Sequence, residues 1–366
     1  MKVLSITPTF YPLVGGLEQV VMQLAQRVRT HGVTMDVAHV ASDLKREDDT
    51  VDGIAVYRLP LYGNRMIGWA PALSRLARGY DLLHVHDPQL LALSGNVRWQ
   101  CGRTPAVLST HGGFWHTPSF YWFKKIYEST LLGGYARHYR RVLASSVSDF
   151  EYFRSFTDRI ELCSNGVSVK RFNAIAGKPD RSLLKWIYWG RLSHNKRLDV
   201  TIDYVDQVRR LGYPVELLIC GKDFDGLLPG LQDQVRRLGL EEVIRFESYL
   251  SDADLDAELR SRGLFITASQ YEGFGIGIVE AMAAGLVVAC RDMQPVNTFF
   301  ESGKAGLLLS FDGGPQDLET LTDLLRSSAA EAMALSAAAR IAAGVHDWDA
   351  VIPRFVAHYR AVVGGS

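Results

Sequence analysis

Short β-branched runs alternate with stretches of helical periodicity along most of this chain. Residues 2–6 read as a buried strand, and a loop holding Gly15 and Gly16 leads into a helix from about Glu18 to His31, stopped by Gly32. Val20, Val21, Leu24, Ala25 and Val28 fall on one face of that helix. Further strands are predicted near 33–40, 54–59, 82–86, 105–110, 141–145 and 159–163. A second series begins near Leu184 with a strand, followed by a helix at 196–211, a strand at 214–221 and a helix near 228–239. A short strand around Phe246, a helix near 252–261, a strand at 264–269, a helix after Gly275 and a strand at 286–290 complete it. Such alternation implies parallel β-α-β units with helices on both sheet faces. The expected class is therefore α/β, with two doubly wound halves joined near Asn165–Pro179 and a last helix, about 349–363, that crosses back to the first half.

Composition narrows the picture. A chain of 366 residues suggests two domains, and 47% hydrophobic residues give each enough apolar material for a core, which excludes disorder. Forty basic residues balance forty acidic ones, so a protein devoted to nucleic acid, which needs a basic surplus, is excluded. Four cysteines stand far apart with no C-x-x-C pair, as in a reducing cytoplasm. Pro8 and Pro12 interrupt the start too early for a signal peptide. Residues 104–123 lack formal charge, but their glycines, prolines and histidines do not suit a spanning helix. Charge is unevenly shared: residues 1–170 carry 19 Lys and Arg against 14 Asp and Glu, and residues 171–366 carry 21 against 26. The first half is the expected partner of an anion.

Ligands of open α/β sheets bind beyond the carboxyl ends of the strands, so the chemistry is sought where strands end, in a cleft between the two predicted sheets. The sharpest signal is the run from Tyr271 to Gly285, which leaves a strand and opens a helix. Backbone N–H groups of Gly273, Phe274, Gly275 and Ile276 are expected to approach an anion closely at the helix start. Glu272 in the loop and Glu280 inside the helix bracket the turn, and carboxylates suit sugar and ribose hydroxyls. The competing reading is a solvated glutamate beside packing glycines. The spacing G-x-G-x-G, with Ile278 at the third position of the dinucleotide fingerprint, argues against nicotinamide. No P-loop occurs either.

Arg191 and Lys196 follow another strand through Gly190 and suit a diphosphate leaving group, Arg as a fork and Lys as a point charge. His111 stands at a third strand end beside Gly112 and Gly113, placed to donate to a substrate hydroxyl; His116 follows it as either a surface or a cleft residue. Two histidines alone do not make a zinc site. Asp223-Phe224-Asp225 has the look of a metal-binding pair but reads as a solvated loop. Residues 114–127 hold seven aromatics in fourteen positions, followed by Arg137, Arg140 and Arg141, a composition that fits either an aromatic core helix or an anionic membrane surface.

Together these residues resemble the retaining glycosyltransferases of the GT-B fold, family 4, over essentially the whole chain. The resemblance implies an acceptor-binding domain at 1–167, a nucleotide-sugar domain at 168–348 and a carboxy-terminal helix of about 349–366 packed on the first. It assigns the donor sugar to Glu272, Gly273, Phe274 and Gly275 with Ile276, the ribose to Glu280 and the diphosphate to Arg191 and Lys196. It sets His111 near the scissile bond, with Gly15 and Gly16 as the amino-terminal glycine loop. A narrower likeness, in the run after Thr110, the Glu272–Leu286 segment and the closing helix, is to α-mannosyltransferases of xanthan- and acetan-type exopolysaccharide synthesis. That subfamily implies GDP-mannose as donor and a cellobiosyl-diphosphopolyprenol acceptor. Front-face substitution is expected, with Glu272 and His111 as catalytic groups, because the family places Glu272, the one carboxylate suited to act as nucleophile, on sugar hydroxyls. Neutralisation of the leaving diphosphate by Arg191 and Lys196 implies no obligatory metal or cofactor. The likeness further implies a cytoplasmic protein held peripherally on the inner membrane face. Ser168 departs from the family, which usually has Asp there. Readings left open are another nucleotide-sugar donor, a sugar-nucleotide epimerase of the same body, and a binding module without transfer.

Overall fold

A computed structural model describes residues 1–12, 15–41, 47–64, 67–86, 91–112, 121–176 and 181–365. Gly113, His116 and the aromatic positions of 114–120 lie outside them. The chain divides into two compact units, Met1–Gly166 with Trp348–Ser366, and Val167–Asp347.

The first unit is built on eight strands: β1 Lys2–Thr7, β2 Thr34–Ala41, β3 Glu47–Val51, β4 Ile54–Pro60, β5 Leu82–His86, β6 Ala106–Ser109, β7 Arg141–Ala144 and β8 Ile160–Leu162. Their order across the sheet is β3-β4-β2-β1-β5-β6-β7-β8, and every pairing is parallel except β3 with β4. β5 throughout and β1 from Val3 to Thr7 are buried, as expected of central strands in a parallel sheet covered on both faces. β3 has no such signal: Glu47, Asp48, Asp49 and Thr50 are exposed at the sheet edge, where charge discourages further pairing. The helix Trp348–Gly364 belongs to this unit and buries Trp348, Val351, Ile352, Phe355, Val356 and Tyr359 at helical spacing. A Cβ on Gly166 would overlap the Trp348 ring, so the bare backbone there is what lets the helix start pack down.

The second unit has six strands, all parallel: β9 Ser182–Trp189, β10 Glu216–Cys220, β11 Ile244–Glu247, β12 Arg262–Thr267, β13 Val287–Arg291 and β14 Leu307–Leu309. Their order is β11-β10-β9-β12-β13-β14. The chain therefore winds outward from β9 in one direction, then returns to β12 and winds the other way. β14 and the helices Pro315–Arg326 and Ala329–Gly344 extend the unit beyond the predicted elements. Cys101, Cys163, Cys220 and Cys290 are all buried and free.

Candidate functional site

The reversal of strand order between β9 and β12 leaves a crevice at their carboxyl ends, the usual ligand position of a doubly wound sheet. Two of the predicted segments leave these two strands. β9 runs into Gly190, whose N–H donates to the Cys220 carbonyl at 2.9 Å. A Cβ on the facing Gly221 would overlap the Gly190 carbonyl, so the ends of β9 and β10 meet only as bare backbone. Arg191 follows, exposed, with its guanidinium 5.1 Å above the Phe224 ring and no carboxylate partner among the described residues.

The short 3-10 turn His194–Lys196 then reaches across to the loop after β12. Asn195 fastens the two loops: its carbonyl accepts from the Gln270 N–H at 2.7 Å, and its side-chain amide donates to the Tyr271 carbonyl at 3.0 Å. With the loops tied, Lys196 Nζ lies 2.6 Å from Glu272 Oε1, both side chains largely shielded from water. Two charges predicted to serve one substrate thus stand in contact before any substrate arrives.

Beyond Glu272 the backbone turns through Gly275, whose φ of 94° is disfavoured for any residue with a side chain, and enters the helix Ile276–Ala283. None of the backbone N–H groups from Gly273 to Gly277 donates to another described residue. Five donors at a helix start are therefore without a partner among the described residues, an arrangement that favours an anion. The Phe274 ring is buried against Phe299 and His346, so Phe274 has only its backbone to offer a ligand. Gly277 lies close against the Trp189 carbonyl, and the Trp189 indole N–H donates to Glu280 Oε2 at 3.1 Å. Burial pushes the Glu280 carboxyl up to about 7, against a smaller opposing effect of the Trp189 hydrogen bond and of Arg171.

The Asp223–Asp225 pair is occupied structurally. Asp223 accepts from the N–H groups of Leu227 and Leu228 at 2.8 and 3.0 Å, capping the helix Leu228–Leu238, and Asp225 accepts from the His194 N–H at 2.9 Å. These backbone donors hold the Asp223 carboxyl below its usual range. Among the described residues no group of three His, Cys, Asp or Glu is placed to hold a metal.

In the first unit, Gly15 is extended and precedes the helix Gly16–Arg27. A Cβ there would come within 2.6 Å of the Glu18 carboxylate, which accepts a hydrogen bond from the Thr9 hydroxyl. His111 follows β6 and is half-buried. Its Nε2 lies 2.9 Å from His86 Nδ1 at the end of β5. His86 Nε2 is buried without a hydrogen-bond partner among the described residues. A stranded N–H is costlier than a stranded lone pair, so the shared proton belongs on His86 Nδ1, and His111 carries its own on Nδ1.

Most of the chain matches two adjoining family descriptions, "Glycosyltransferase Family 4" over residues 14–171 and "Glycosyl transferases group 1" over residues 174–341. A GDP-mannose:cellobiosyl-diphosphopolyprenol alpha-mannosyltransferase of Komagataeibacter xylinus is 32% identical over 372 residues, spanning all of this chain and 94% of the relative. The chain belongs to glycosyltransferase family 4. The protein of the same name from Xanthomonas campestris is 29% identical over all of this glycosyltransferase and 98% of its own length. Among solved structures, the sucrose-phosphate synthase of Thermosynechococcus elongatus superimposes with a TM-score of 0.79 at 18% identity, covering both chains completely, and identifies the fold as GT-B.

Several supports of His111 have no local sequence signal. Asp149, on the helix after β7, accepts from the Thr110 and Ser145 hydroxyls and from the Gly112 N–H, and so holds the residues on both sides of His111. Tyr359, on the last helix, places its hydroxyl 2.7 Å from His84 Nδ1, and the His84 and His86 rings stand 4.0 Å apart. Burial is the main cause of the low pKa of all three histidines: His84 is pushed down to about 3, His111 to about 4, and His86 well below its usual range. Each is therefore neutral in the fold but takes up a proton near pH 6.5 when unfolded. This stability is complete above pH 6.5 and is lost as pH falls towards 4. The fully buried pair His84 and His86 should cost about 4 kcal/mol of stability by pH 5. Denaturant midpoints of the first unit's transition at pH 7 and pH 5 measure the loss; equal midpoints would exclude buried neutral imidazoles.

Proposed function

We propose that this glycosyltransferase moves mannose from GDP-mannose to a polyprenyl-diphosphate-linked saccharide of the cellobiosyl type, in exopolysaccharide synthesis at the cytoplasmic membrane face. The names of its full-length relatives support the donor and acceptor. One observation carries the chemistry: the Lys196–Glu272 contact stands beside five backbone N–H groups that have no partner among the described residues. In this reading Arg191, Lys196 and the N–H groups of Gly273 to Ile276 hold the diphosphate, Glu272 accepts from the mannosyl hydroxyls and Glu280 from the ribose. His111 donates its Nδ1–H to a sugar hydroxyl, and Gly15 and Gly16 let the acceptor side approach the backbone.

The bond from the anomeric carbon to the diphosphate oxygen breaks, and its electron pair stays on that oxygen. The acceptor hydroxyl bonds to the same face of the sugar, and its proton passes to the departing phosphate, so the anomeric configuration is kept. Charge developing on the leaving group is met by two side-chain cations and fixed dipoles, which stabilise it without reorganisation. No obligatory metal is part of this reading. No helix among the described residues is long and apolar enough to cross a membrane. Peripheral attachment is supported by the helix Tyr121–Tyr127, which exposes Trp122 and Ile126 beside Lys125.

The test is transfer of radiolabelled mannose, from a panel of nucleotide sugars, to cellobiosyl-diphosphopolyprenol in anionic vesicles, with and without chelator. Transfer from GDP-mannose alone, unaffected by chelator and accompanied by flotation of the protein with the vesicles at low salt, is expected. Transfer from another donor, or none, would overturn the donor assignment; dependence on the divalent ion would overturn the metal-free mechanism, and absence of flotation the attachment.

A further inference from the structure

At the end of the first unit's sheet away from His111, three neighbouring strands begin side by side, and each brings an arginine to the same edge. Arg103 sits in the turn before β6, closed by the Thr104 N–H donating to the Cys101 carbonyl at 2.9 Å. Arg140 enters β7, its N–H donating to the Ala106 carbonyl at 2.9 Å. Arg159 enters β8, its carbonyl accepting from the Val142 N–H at 2.7 Å. Adjacent strands lie about 4.8 Å apart, so this register sets the arginines close together.

With His138, Gly102 and Thr104 they line a pocket of about 280 Å³ that has no acidic residue in its wall. None of Arg103, Arg140 and Arg159 makes an ion pair among the described residues. That is unlike their neighbours: Arg141 reaches Glu161 and Arg154 reaches Glu151. Gathering three like charges around one depression without a counter-charge is unfavourable unless an anion relieves it. His138 responds to the same field, its pKa lowered by burial and by the nearby Arg98 and Arg140. In the preceding helix, the exposed Trp99 packs edge-on to Tyr135, which also faces Tyr127 and the Arg98 guanidinium, 5.6 Å from its ring.

We propose that this pocket binds a phosphate group, presented by an anionic lipid headgroup or as soluble phosphate. Guanidinium forks match phosphate oxygens, and the backbone N–H groups of Gly102 and Arg103 face no acceptor among the described residues. The site lies at the opposite end of β6 from His111, apart from the residues assigned above to glycosyl transfer.

The discriminating variant is the double substitution Arg140→Gln/Arg159→Gln, which alters exposed side chains only. Inorganic phosphate, added with GDP at saturation to fill the diphosphate site proposed above, should raise the melting temperature of the wild type. In the variant the apparent affinity should fall at least about tenfold. The second arm measures sedimentation with phosphatidylcholine vesicles containing about one third phosphatidylglycerol, against pure phosphatidylcholine. Loss in the phosphate arm supports a site for soluble phosphate; loss confined to the anionic vesicles supports a headgroup site. Equal behaviour of wild type and variant in both arms overturns the proposal. Neither readout involves turnover, so this result is independent of the mannosyl-transfer assay.

Discussion

Replacing Lys196 by methionine should lower kcat/KM for mannosyl transfer by about two to three orders of magnitude, the usual cost of removing a fixed group from a developing oxyanion. Methionine keeps the apolar stem, so the change isolates the ammonium. That ammonium is already held 2.6 Å from Glu272 in a largely desolvated position, so no reorganisation is needed when the diphosphate departs. The two partners should fail differently. Lys196→Met should weaken GDP and GDP-mannose alike, because both carry the diphosphate. Glu272→Gln should weaken GDP-mannose while leaving GDP nearly untouched, because its carboxylate serves the sugar. Removing Lys196 also strands a shielded carboxylate, so melting temperatures of both variants are needed to separate binding from stability. Competition binding with the two nucleotides settles the matter: parallel losses in both variants would show that Glu272 acts only as a counter-ion to Lys196.

Legibility in the sequence followed the range of the interactions. Glu272, Gly275 and Glu280 sit on one continuous segment, where a strand ending, a glycine turn and a helix start are all local signals. Lys196 was visible for the same reason, as a cation just past a strand and a glycine. Their direct contact was not, because it depends on β9 and β12 being neighbours although 72 residues separate the end of β9 from the start of β12. Asp149 reads locally as an acid in the first turn of a helix; its grip on Gly112 spans 37 residues and appears only in the fold. The same holds for Tyr359 and His84, 275 residues apart. β3 escaped because an exposed acidic edge strand has no apolar alternation to reveal it. Arg140 and Arg141 look equivalent in sequence, yet one opens onto the cationic pocket and the other is neutralised by Glu161.

Affinity for GDP-mannose should rise with pH by close to tenfold per unit between about pH 5 and 7, then level off, because the donor's ribose hydroxyls need an ionised Glu280. The free protein holds that carboxyl up at about 7, chiefly through burial, against 4.5 for an unperturbed glutamate. Between these two values the folded, empty protein binds a proton that the unfolded chain does not, so this group's contribution to stability declines as pH rises from about 4.5 towards 7. A ligand that donates hydrogen bonds to the carboxylate favours the charged form and must expel the proton to bind below pH 7. Neither His111, near pH 4, nor the diphosphate diester of GDP-mannose, which has already lost its protons, titrates in this window. Calorimetry in buffers of different ionisation enthalpy should show release of about one proton at pH 6 and almost none at pH 8. Glu280→Gln should bind more weakly at pH 8 and lose the pH dependence, since an amide cannot ionise. Trp189→Phe removes the indole hydrogen bond that favours the charged form, so its affinity plateau should move to higher pH. A flat pH profile in the wild type, with no proton release, would place the ribose elsewhere than on Glu280.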